Sequence, residues 1–299
     1  MGVRYLNKLI NRFSKNGTKK VTLFKLKDKV IVIDISIYLY KFASSGTLIE
    51  NMYLLCSILQ FYDIKPICIF DGFTPKEKKA EIYKRRERKK EAEITYNKLK
   101  NMMANEKNPN KIIMLKNKMH ALRRKFVTVS YKDRVQVKKL LQLMGISYYQ
   151  ADGEADKLCA QLVLNGKAYA CLSEDTDLFI YGCPYVLRYL SLKNHTAILY
   201  NIDVILQDLD INLYDFQKLC VLSGTDYNNN INNHNIFYNY KQYKLNNIPD
   251  LNNEYKKIIT MFQLDDMDIS KNKFYSNEYL SIDKQKLHEF LEDYGFVYP

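Results

Sequence analysis

The segment Val30-Ile31-Val32-Ile33-Asp34 joins four β-branched apolar residues directly to a carboxylate. The same arrangement recurs at Pro66–Asp71, and again where Tyr169–Leu172 runs through Ser173-Glu174 into Asp175-Thr176-Asp177. Short apolar runs separated by helical segments are typical of parallel strands covered on both faces. We therefore predict an α/β fold with a mostly parallel central sheet flanked by helices.

The carboxylates after these runs point to a functional site. In such a sheet the ligand crevice lies outside the carboxyl ends of the strands, so Asp34, Asp71, Asp175 and Asp177 are expected to meet there. One Asp at such a position is more often a turn residue or a helix cap. Three strands that end in the same way favour a shared site.

Two further segments add acids. Glu154 and Asp156 open a predicted helix that Asn165-Gly166 closes, although carboxylates in a first helical turn are favoured by the helix dipole alone. Asp226 lies in a short turn after a predicted helix over Leu213–Val221. The candidate site then holds seven carboxylates: Asp34, Asp71, Glu154, Asp156, Asp175, Asp177 and Asp226.

Seven carboxylates in one crevice repel one another unless cations neutralise them. Mg²⁺ prefers a few carboxylates together with water and substrate phosphate oxygens. Two such ions about 4 Å apart can activate a water and stabilise the leaving oxygen of a phosphodiester displacement. The sequence has no Cys/His cluster for zinc, and His195, which stands alone, is interpreted as structural or surface. We find neither a phosphate-binding Gly-rich loop nor a nucleophilic Ser or Cys with a base.

The positive charge of the chain is concentrated in one segment. The net charge is +13, from 46 Lys and Arg against 33 Asp and Glu. Residues 76–139 hold 22 of the basic and seven of the acidic residues, a local net of +15, which leaves the rest at −2. Such a segment repels itself without a polyanion nearby, which favours contact with nucleic acid or another polyphosphate. A solvated helical hairpin and a nuclear-localisation tract at Lys84–Lys90 are the alternatives.

The basic segment is predicted to be helical. Good helix formers run from Lys76 to about Met103 and from about Lys111 to Met144, and Asn108-Pro109-Asn110 is the natural break. We expect two long basic helices joined by a turn and inserted between strands.

Length and composition limit the number of domains and the classes of protein to which the chain can belong. With 299 residues, 47% hydrophobic and 26% charged, the chain is long enough for one large domain, or for one domain with a small appendage. The six scattered cysteines form no C-x-x-C pair and no signal peptide is recognisable, so we expect reduced, buried thiols in an intracellular protein. No stretch of about 18 uncharged apolar residues occurs, which excludes a membrane-spanning helix.

Taken together, these segments resemble the flap endonuclease and XPG-type family of structure-specific 5′-nucleases. The resemblance covers roughly residues 1–227, and each motif is weak alone, whereas their joint order and spacing are specific. The motifs are Met1-Gly2-Val3, Val32–Tyr40, Ile69–Pro75, Lys76–Arg88, Leu143–Ile146, Gly153–Asp156, Ser173–Asp177 and Gly224–Tyr227.

The resemblance implies a PIN-like catalytic domain over residues 1–227, in which the seven acids bind two Mg²⁺ ions or Mn²⁺ in their place. It implies that residues 76–139 form an arch through which a 5′ single strand passes. Lys78 and Arg85 match the catalytic lysine and arginine of the family. They are seven residues apart on one predicted helix and so share a face.

The resemblance also implies DNA contacts outside the acids. Tyr40 matches the position that stacks on a base beside the cut, with Tyr38 as its rival, and Gly2 matches the residue whose backbone lies near the active site. Further candidates for DNA contact are the basic arch residues Arg86, Arg88, Lys89, Arg123, Arg124 and Lys125.

The sequence departs from the family in two places. Asp156 stands where members usually carry Glu. After Asp226-Tyr227 the family has a Gly-Ile-Gly hairpin that binds duplex DNA through K⁺, whereas Asn fills 11 of the 26 positions from 228 to 253 here and no Gly lies between Gly224 and Gly295. A K⁺ site is therefore not predicted. We interpret residues 228–299 as a diverged helical C-terminal region, and no sliding-clamp motif is recognisable.

The leading hypothesis is a Mg²⁺-dependent structure-specific 5′-nuclease that cuts DNA at 5′ flaps or recessed 5′ ends by a two-metal mechanism during replication, repair or recombination, leaving a 5′-phosphate and a 3′-hydroxyl. Within the same family, a junction resolvase or a 5′ exonuclease is the alternative. A PIN-type ribonuclease would not need so long a basic segment. From another class, the chain could be a DNA-binding scaffold without activity. The expected location is the nucleus or another site of DNA replication.

Overall fold

The computed structural model describes residues 2–228, 235–249, 251–264, 272–275 and 284–296. The strands are β1 Thr18–Thr22, β2 Val30–Asp34, β3 Lys65–Phe70, β4 Ser147–Gln150, β5 Ala170–Leu172, β6 Tyr185–Ser191, β7 Thr196–Asn201 and β8 Lys273–Tyr275. The helices are α1 Leu6–Phe13, α2 Ile35–Ser45, α3 Leu48–Phe61, α4 Lys79–Ala104, α5 Pro109–Phe126, α6 Tyr131–Leu143, α7 Ala155–Leu164, α8 Asp177–Ile180, α9 Ile202–Leu209, α10 Leu213–Ser223, α11 Ile236–Lys244, α12 Asn253–Met261 and α13 Lys284–Glu292. Short 3₁₀ turns lie at Leu23–Leu26 and Lys76–Lys78.

The strands form one mixed sheet in the order β1-β7-β6-β5-β2-β3-β4-β8. The five strands from β6 to β4 are mutually parallel, which confirms the predicted α/β fold. Antiparallel pairs complete the two edges, since β7 joins β6 to β1 and β8 pairs with β4. None of these edge strands was predicted from the sequence.

The central strand β2 explains why continuous apolar runs form this sheet. Val32 packs into the hydrophobic cluster on one face, while Ile31 and Ile33 pack into the cluster on the other. Successive side chains of a strand point to opposite faces, so a strand buried on both faces needs apolar residues at every position. Helices α1, α7, α8 and α10 cover the first face, and α2, α3 and α6 cover the second.

Helices α4 and α5 form a basic hairpin inserted after β3, which we call the arch. The predicted break is confirmed, because the Asn108 side chain caps α5 by accepting a hydrogen bond from the backbone N–H of Asn110 at 3.0 Å, and Pro109 occupies the first helical position. The arch with its 3₁₀ entry, residues 76–126, carries 18 Lys and Arg against six Asp and Glu.

The predicted continuous helix from Lys111 to Met144 is wrong. Helix α5 ends at Phe126, and α6 starts at Tyr131 with a capping box in which Ser130 and Asp133 exchange hydrogen bonds. Helix α6 buries Val137, Leu140 and Leu141 against the sheet. The arch therefore ends near residue 126 rather than 139.

The described C-terminal helices pack against the helices that cover the central sheet. Helices α11 and α12 pack on α10, and α13 places Phe290 and Leu291 in the cluster that also holds α3 and α6. Residues 229–234, part of the Asn-rich stretch that stands where the family has its K⁺-binding hairpin, lie outside the described residues.

All six cysteines are buried, as predicted, and none takes part in a disulfide in the structure. None of the helices in the described ranges is long and apolar enough to cross a membrane.

Candidate active site

The acids that follow the apolar runs lie together at the carboxyl edge of the parallel strands. Asp34 ends β2 and is the N-cap residue of α2, Asp71 follows β3, and Asp175 and Asp177 follow β5. Strands β5, β2 and β3 are direct neighbours. The sheet order therefore brings these four carboxylates to one place, as the sequence predicted.

Glu154, Asp156 and Asp226 complete the group. Glu154 is the N-cap of α7, Asp156 lies in its first turn, and Asp226 follows the end of α10. Charge–charge interactions connect all seven acids: Asp34 interacts with Asp71 and Asp175, Asp156 with Glu154, Asp175 and Asp177, and Asp177 with Asp226. We call these seven residues the acid cluster; their role as metal ligands stays a prediction.

Burial and like charge make the acid cluster costly. Burial, with Asp71 and Asp175 nearby, raises the pKa of Asp34 to about 8. Burial also raises the pKa of Asp156 and Asp177, and neighbouring carboxylates add to both shifts. These are the directions expected when several carboxylates share a poorly solvated site.

Serine and backbone donors orient three of the acids. The Ser36 hydroxyl and the Ala155 N–H both donate to Asp71, the latter at 2.9 Å. The Ser173 hydroxyl donates to Asp34 at 3.0 Å and accepts from the N–H of Asp175 at 3.1 Å. Sequence reasoning missed both serines; the available signal was that each lies two residues from an acid of the cluster.

Asp177 is the least satisfied of the acids. Its side chain is 0% exposed, and neither carboxylate oxygen has a hydrogen-bond partner in the described part of the chain. A buried, unpaired carboxylate is strongly unfavourable without a cation. Among the described residues, no three His, Cys, Asp or Glu side chains are arranged as a preformed metal site. The hard oxygen donors gathered here nevertheless fit a divalent cation such as Mg²⁺.

Lys78 reaches from the entry of the arch into the acid cluster. Its Nζ lies 2.7 Å from Glu154 Oε1 and 4.6 Å from the centre of the Tyr227 ring. Burial alone would lower the pKa of Lys78, but Asp156, Asp177 and Glu154 outweigh it and raise the pKa. Tyr227, which donates to Glu154 at 2.6 Å, was missed, although it adjoins Asp226 in the sequence.

Arg85 makes the second contact between the arch and the acid cluster. Its Nη2 lies 2.5 Å from Asp226 Oδ2, and its Nε lies 3.0 Å from Glu81 Oε1. Lys78 and Arg85 therefore both contact the acid cluster, although Lys78 lies in the 3₁₀ turn before α4 and not on the same helix as Arg85; their catalytic role stays a prediction. Glu81 was not predicted as a site residue.

Gly2 lies against the acids through its backbone. It adopts φ +80°, and a Cβ at this position would come within 2.1 Å of Thr176 Oγ1 and 2.6 Å of Asp177 Oδ1. The next N–H, that of Val3, donates to Thr176 Oγ1 at 3.0 Å. Only glycine permits this approach.

The Gly2→Ala variant is expected to lower the free energy of unfolding by about 1–3 kcal/mol, from left-handed backbone strain and steric overlap. Gly46→Ala is the matched control, because Gly46 has φ +79° and a Cβ added there would meet none of the described residues within 4 Å. Urea unfolding of both variants gives the two losses in free energy of unfolding. Both variants share the backbone strain, so the difference between the losses is the cost of the steric overlap at Gly2. Equal losses would show that the close approach to Asp177 carries no energy.

The two tyrosine candidates are in different environments. Tyr38 is 2% exposed and packs in the core, whereas Tyr40 is 40% exposed. Lys89 links Tyr40 to the arch, since its Nζ lies 4.9 Å from the Tyr40 ring centre and donates to the Val127 carbonyl at 3.2 Å. Exposure favours Tyr40 as the residue that can stack on a ligand.

The remaining arch candidates lie on the protein surface. Exposed side chains are found at Arg86, Arg88, Arg123, Arg124 and Lys125. Of these, Arg88 has a weak contact, with its Nη1 3.8 Å from Glu81 Oε1. Their contacts with DNA stay a prediction.

Two family models match the chain. Residues 1–92 match the XPG N-terminal domain and residues 145–226 match the XPG I-region. The chain is 34% identical over 249 residues to Flap endonuclease 1 of Candida tropicalis, a match that covers 76% of this chain and 63% of that protein. The chain thus spans less than two thirds of the length of this curated relative.

Solved structures have the same fold. Flap endonuclease-1 from Methanococcus jannaschii superposes with a TM-score of 0.68 at 26% identity, covering 99% of this chain and 94% of that one. The Holliday junction-resolving enzyme GEN1, in complex with product DNA and a Mg²⁺ ion, superposes with a TM-score of 0.57 at 18% identity, covering 98% and 68%. The second likeness concerns the fold alone.

Proposed function

Because the chain belongs to the XPG family, we propose that it is a divalent-metal-dependent nuclease that cuts DNA at 5′ flaps or recessed 5′ ends. The observation that carries the proposal is the contact between the basic arch and the acid cluster, which Lys78 makes with Glu154 and Arg85 makes with Asp226. Acids alone would suit many metal enzymes, and basic helices alone would suit many DNA-binding proteins. Their direct contact is suited to hydrolysis of a phosphodiester bond.

The acid cluster is proposed to hold two Mg²⁺ ions, or Mn²⁺ in their place, through carboxylate oxygens. The buried Asp177 supports this assignment, because both of its oxygens lack a partner among the described residues and a cation would satisfy them. When bound, such ions would supply an activated water and stabilise the leaving oxygen, giving a 5′-phosphate and a 3′-hydroxyl.

The residues of this chain would position the phosphate. Lys78 and Arg85 would neutralise the scissile phosphate through their positive charges. The exposed ring of Tyr40 would stack on the adjacent base. Gly2 would keep the backbone close to Asp175 and Asp177 and leave no side chain in the way.

The arch is proposed to bind DNA phosphates through its exposed basic residues. Changing Arg123, Arg124 and Lys125 together to Gln is expected to lower the magnitude of the slope of log K against log salt by about two to three, and affinity about 10²-fold or more near 0.1 M salt. The matched control changes three exposed residues near the opposite edge of the sheet, Lys15, Lys19 and Lys20, to Gln. Fluorescence anisotropy over a salt series measures both, and an equal change in the control would contradict a specific arch contact.

A cleavage assay tests the proposed activity. The chain is incubated with a 5′-flap, a four-way junction, a duplex with a recessed 5′ end and single-stranded RNA, each with Mg²⁺ or EDTA. We expect Mg²⁺-dependent cleavage of the flap. Preference for the junction or the recessed end would indicate a resolvase or a 5′ exonuclease, and preference for RNA a ribonuclease. Binding without cleavage of any substrate would show an inactive scaffold.

The substrate determines where the protein is expected to work. DNA with 5′ flaps arises during replication, repair and recombination, so we propose that the protein acts in the nucleus or at another intracellular site of DNA synthesis. Microscopy of a tagged chain against a replication marker checks this proposal. Exclusion from sites of DNA synthesis would contradict it.

A further inference from the structure

Glu81 is an unusual residue for the arch. Helix α4 has 26 residues and buries only two of them, Glu81 and Ala92. Glu81 is 8% exposed, whereas Glu77 and Glu87, a few residues to either side, are exposed. A carboxylate is rarely buried unless it is paired, so the placement of Glu81 requires a specific partner.

That partner is Arg85. Glu81 Oε1 accepts from Arg85 Nε at 3.0 Å, while Arg85 Nη2 contacts Asp226 at 2.5 Å. The two residues are one helical turn apart and therefore adjacent on the same face. Bonds to two different nitrogens restrict both the position and the rotation of the planar guanidinium.

The location of Glu81 argues against a role in stability alone. Burying a carboxylate carries a desolvation cost even when it is paired, here with Arg85 Nε at 3.0 Å and more distantly with Arg88 Nη1 at 3.8 Å. An apolar or amide side chain would cover the same surface without that cost. The arrangement is explained if the carboxylate serves to hold Arg85 in place.

We propose that Glu81 is a positioning residue that sets the orientation of Arg85 toward the scissile phosphate. The inference rests on the proposed nuclease function and deepens it. A pre-oriented guanidinium loses less conformational freedom when the phosphate arrives, and small misplacements of such groups slow enzymes strongly.

Kinetics test the positioning role. Glu81→Gln is expected to lower the single-turnover rate of Mg²⁺-dependent flap cleavage about tenfold, with little change in DNA affinity. Glu87→Gln removes the same charge from an exposed position of α4 and is expected to stay within about twofold of the parent. Adding Glu81→Gln to Arg85→Met should cause no further loss, because Glu81 would act only through Arg85. Additive losses, or equal effects of the two Gln variants, would overturn the proposal.

A spectroscopic measurement tests the contact without relying on cleavage. The Arg85 Nε–Hε resonance, assigned with the Arg85→Met variant, should shift and exchange faster with solvent in Glu81→Gln but not in Glu87→Gln. An unchanged resonance in Glu81→Gln would overturn the positioning role even if flap cleavage is found. Absence of cleavage by the parent chain would instead overturn the proposed function, so the two failures are distinguishable.

Discussion

The Asp177→Asn variant is expected to lose Mg²⁺-dependent flap cleavage by at least about 10³-fold and yet to be more stable than the parent chain without metal. Asp177 is fully buried, and neither oxygen has a hydrogen-bond partner among the residues that the structure describes. Its ionised form therefore opposes folding, while the isosteric amide removes the charge. We expect a gain of about 1–2 kcal/mol in EDTA, which corresponds to a few degrees in Tm.

Thermal unfolding with and without Mg²⁺ measures both the stability of each variant without metal and the stability that each gains from metal binding. The parent should gain stability on Mg²⁺ addition by mass action, and Asp177→Asn should lose most of that gain. Asp152→Asn is the control, since Asp152 lies on the neighbouring loop with an exposed side chain. An Asp177→Asn variant that is less stable in EDTA than the parent would show that Asp177 is a structural residue.

The central sheet and the position of the acids could be predicted because local sequence determines them. The run Val30–Ile33 is apolar at every position, as a strand buried on both faces requires. In parallel neighbours the carboxyl ends fall on one edge, so Asp34, Asp71 and Asp175 must approach one another. The order of the family motifs along the chain then predicts the same arrangement of strands and acids as in the family that the sequence resembles.

Other features depend on contacts that local sequence does not encode. Strand β8 forms by pairing with β4, more than a hundred residues earlier. The contact of Arg85 with Asp226 joins residues separated by 141 positions. The i, i+4 spacing of Glu81 and Arg85 was a local signal for that pair. By contrast, the break between α5 and α6 was missed although the sequence carries its signals: Val127, Thr128 and Val129 are weak helix formers, and Ser130 with Asp133 three residues later is the pattern of a capping box.

The Lys78→Gln variant is expected to slow single-turnover cleavage about 10²-fold and yet to bind divalent cations more tightly. Lys78 Nζ contacts Glu154 at 2.7 Å, and the surrounding carboxylates raise its pKa, so its charge persists at neutral pH. In cleavage that charge would stabilise the phosphate, and losing one such group costs roughly 3 kcal/mol of transition-state stabilisation. In metal binding the same charge repels the ion, so its removal should tighten the affinity several-fold.

The opposite signs identify the role of Lys78. Calorimetric titration with Ca²⁺ measures ion affinity, and quenched-flow cleavage of a 5′-flap measures the rate. Lys79→Gln is the matched control, because Lys79 is the next residue and is exposed; it should change neither quantity by more than about twofold. If Lys78→Gln weakened Ca²⁺ binding in proportion to the lost rate, Lys78 would organise the carboxylates instead of acting on the phosphate. Because Lys78 contacts the acids from the arch, either role is compatible with the structure. A slower cleavage rate together with tighter Ca²⁺ binding in Lys78→Gln would show that Lys78 acts on the phosphate.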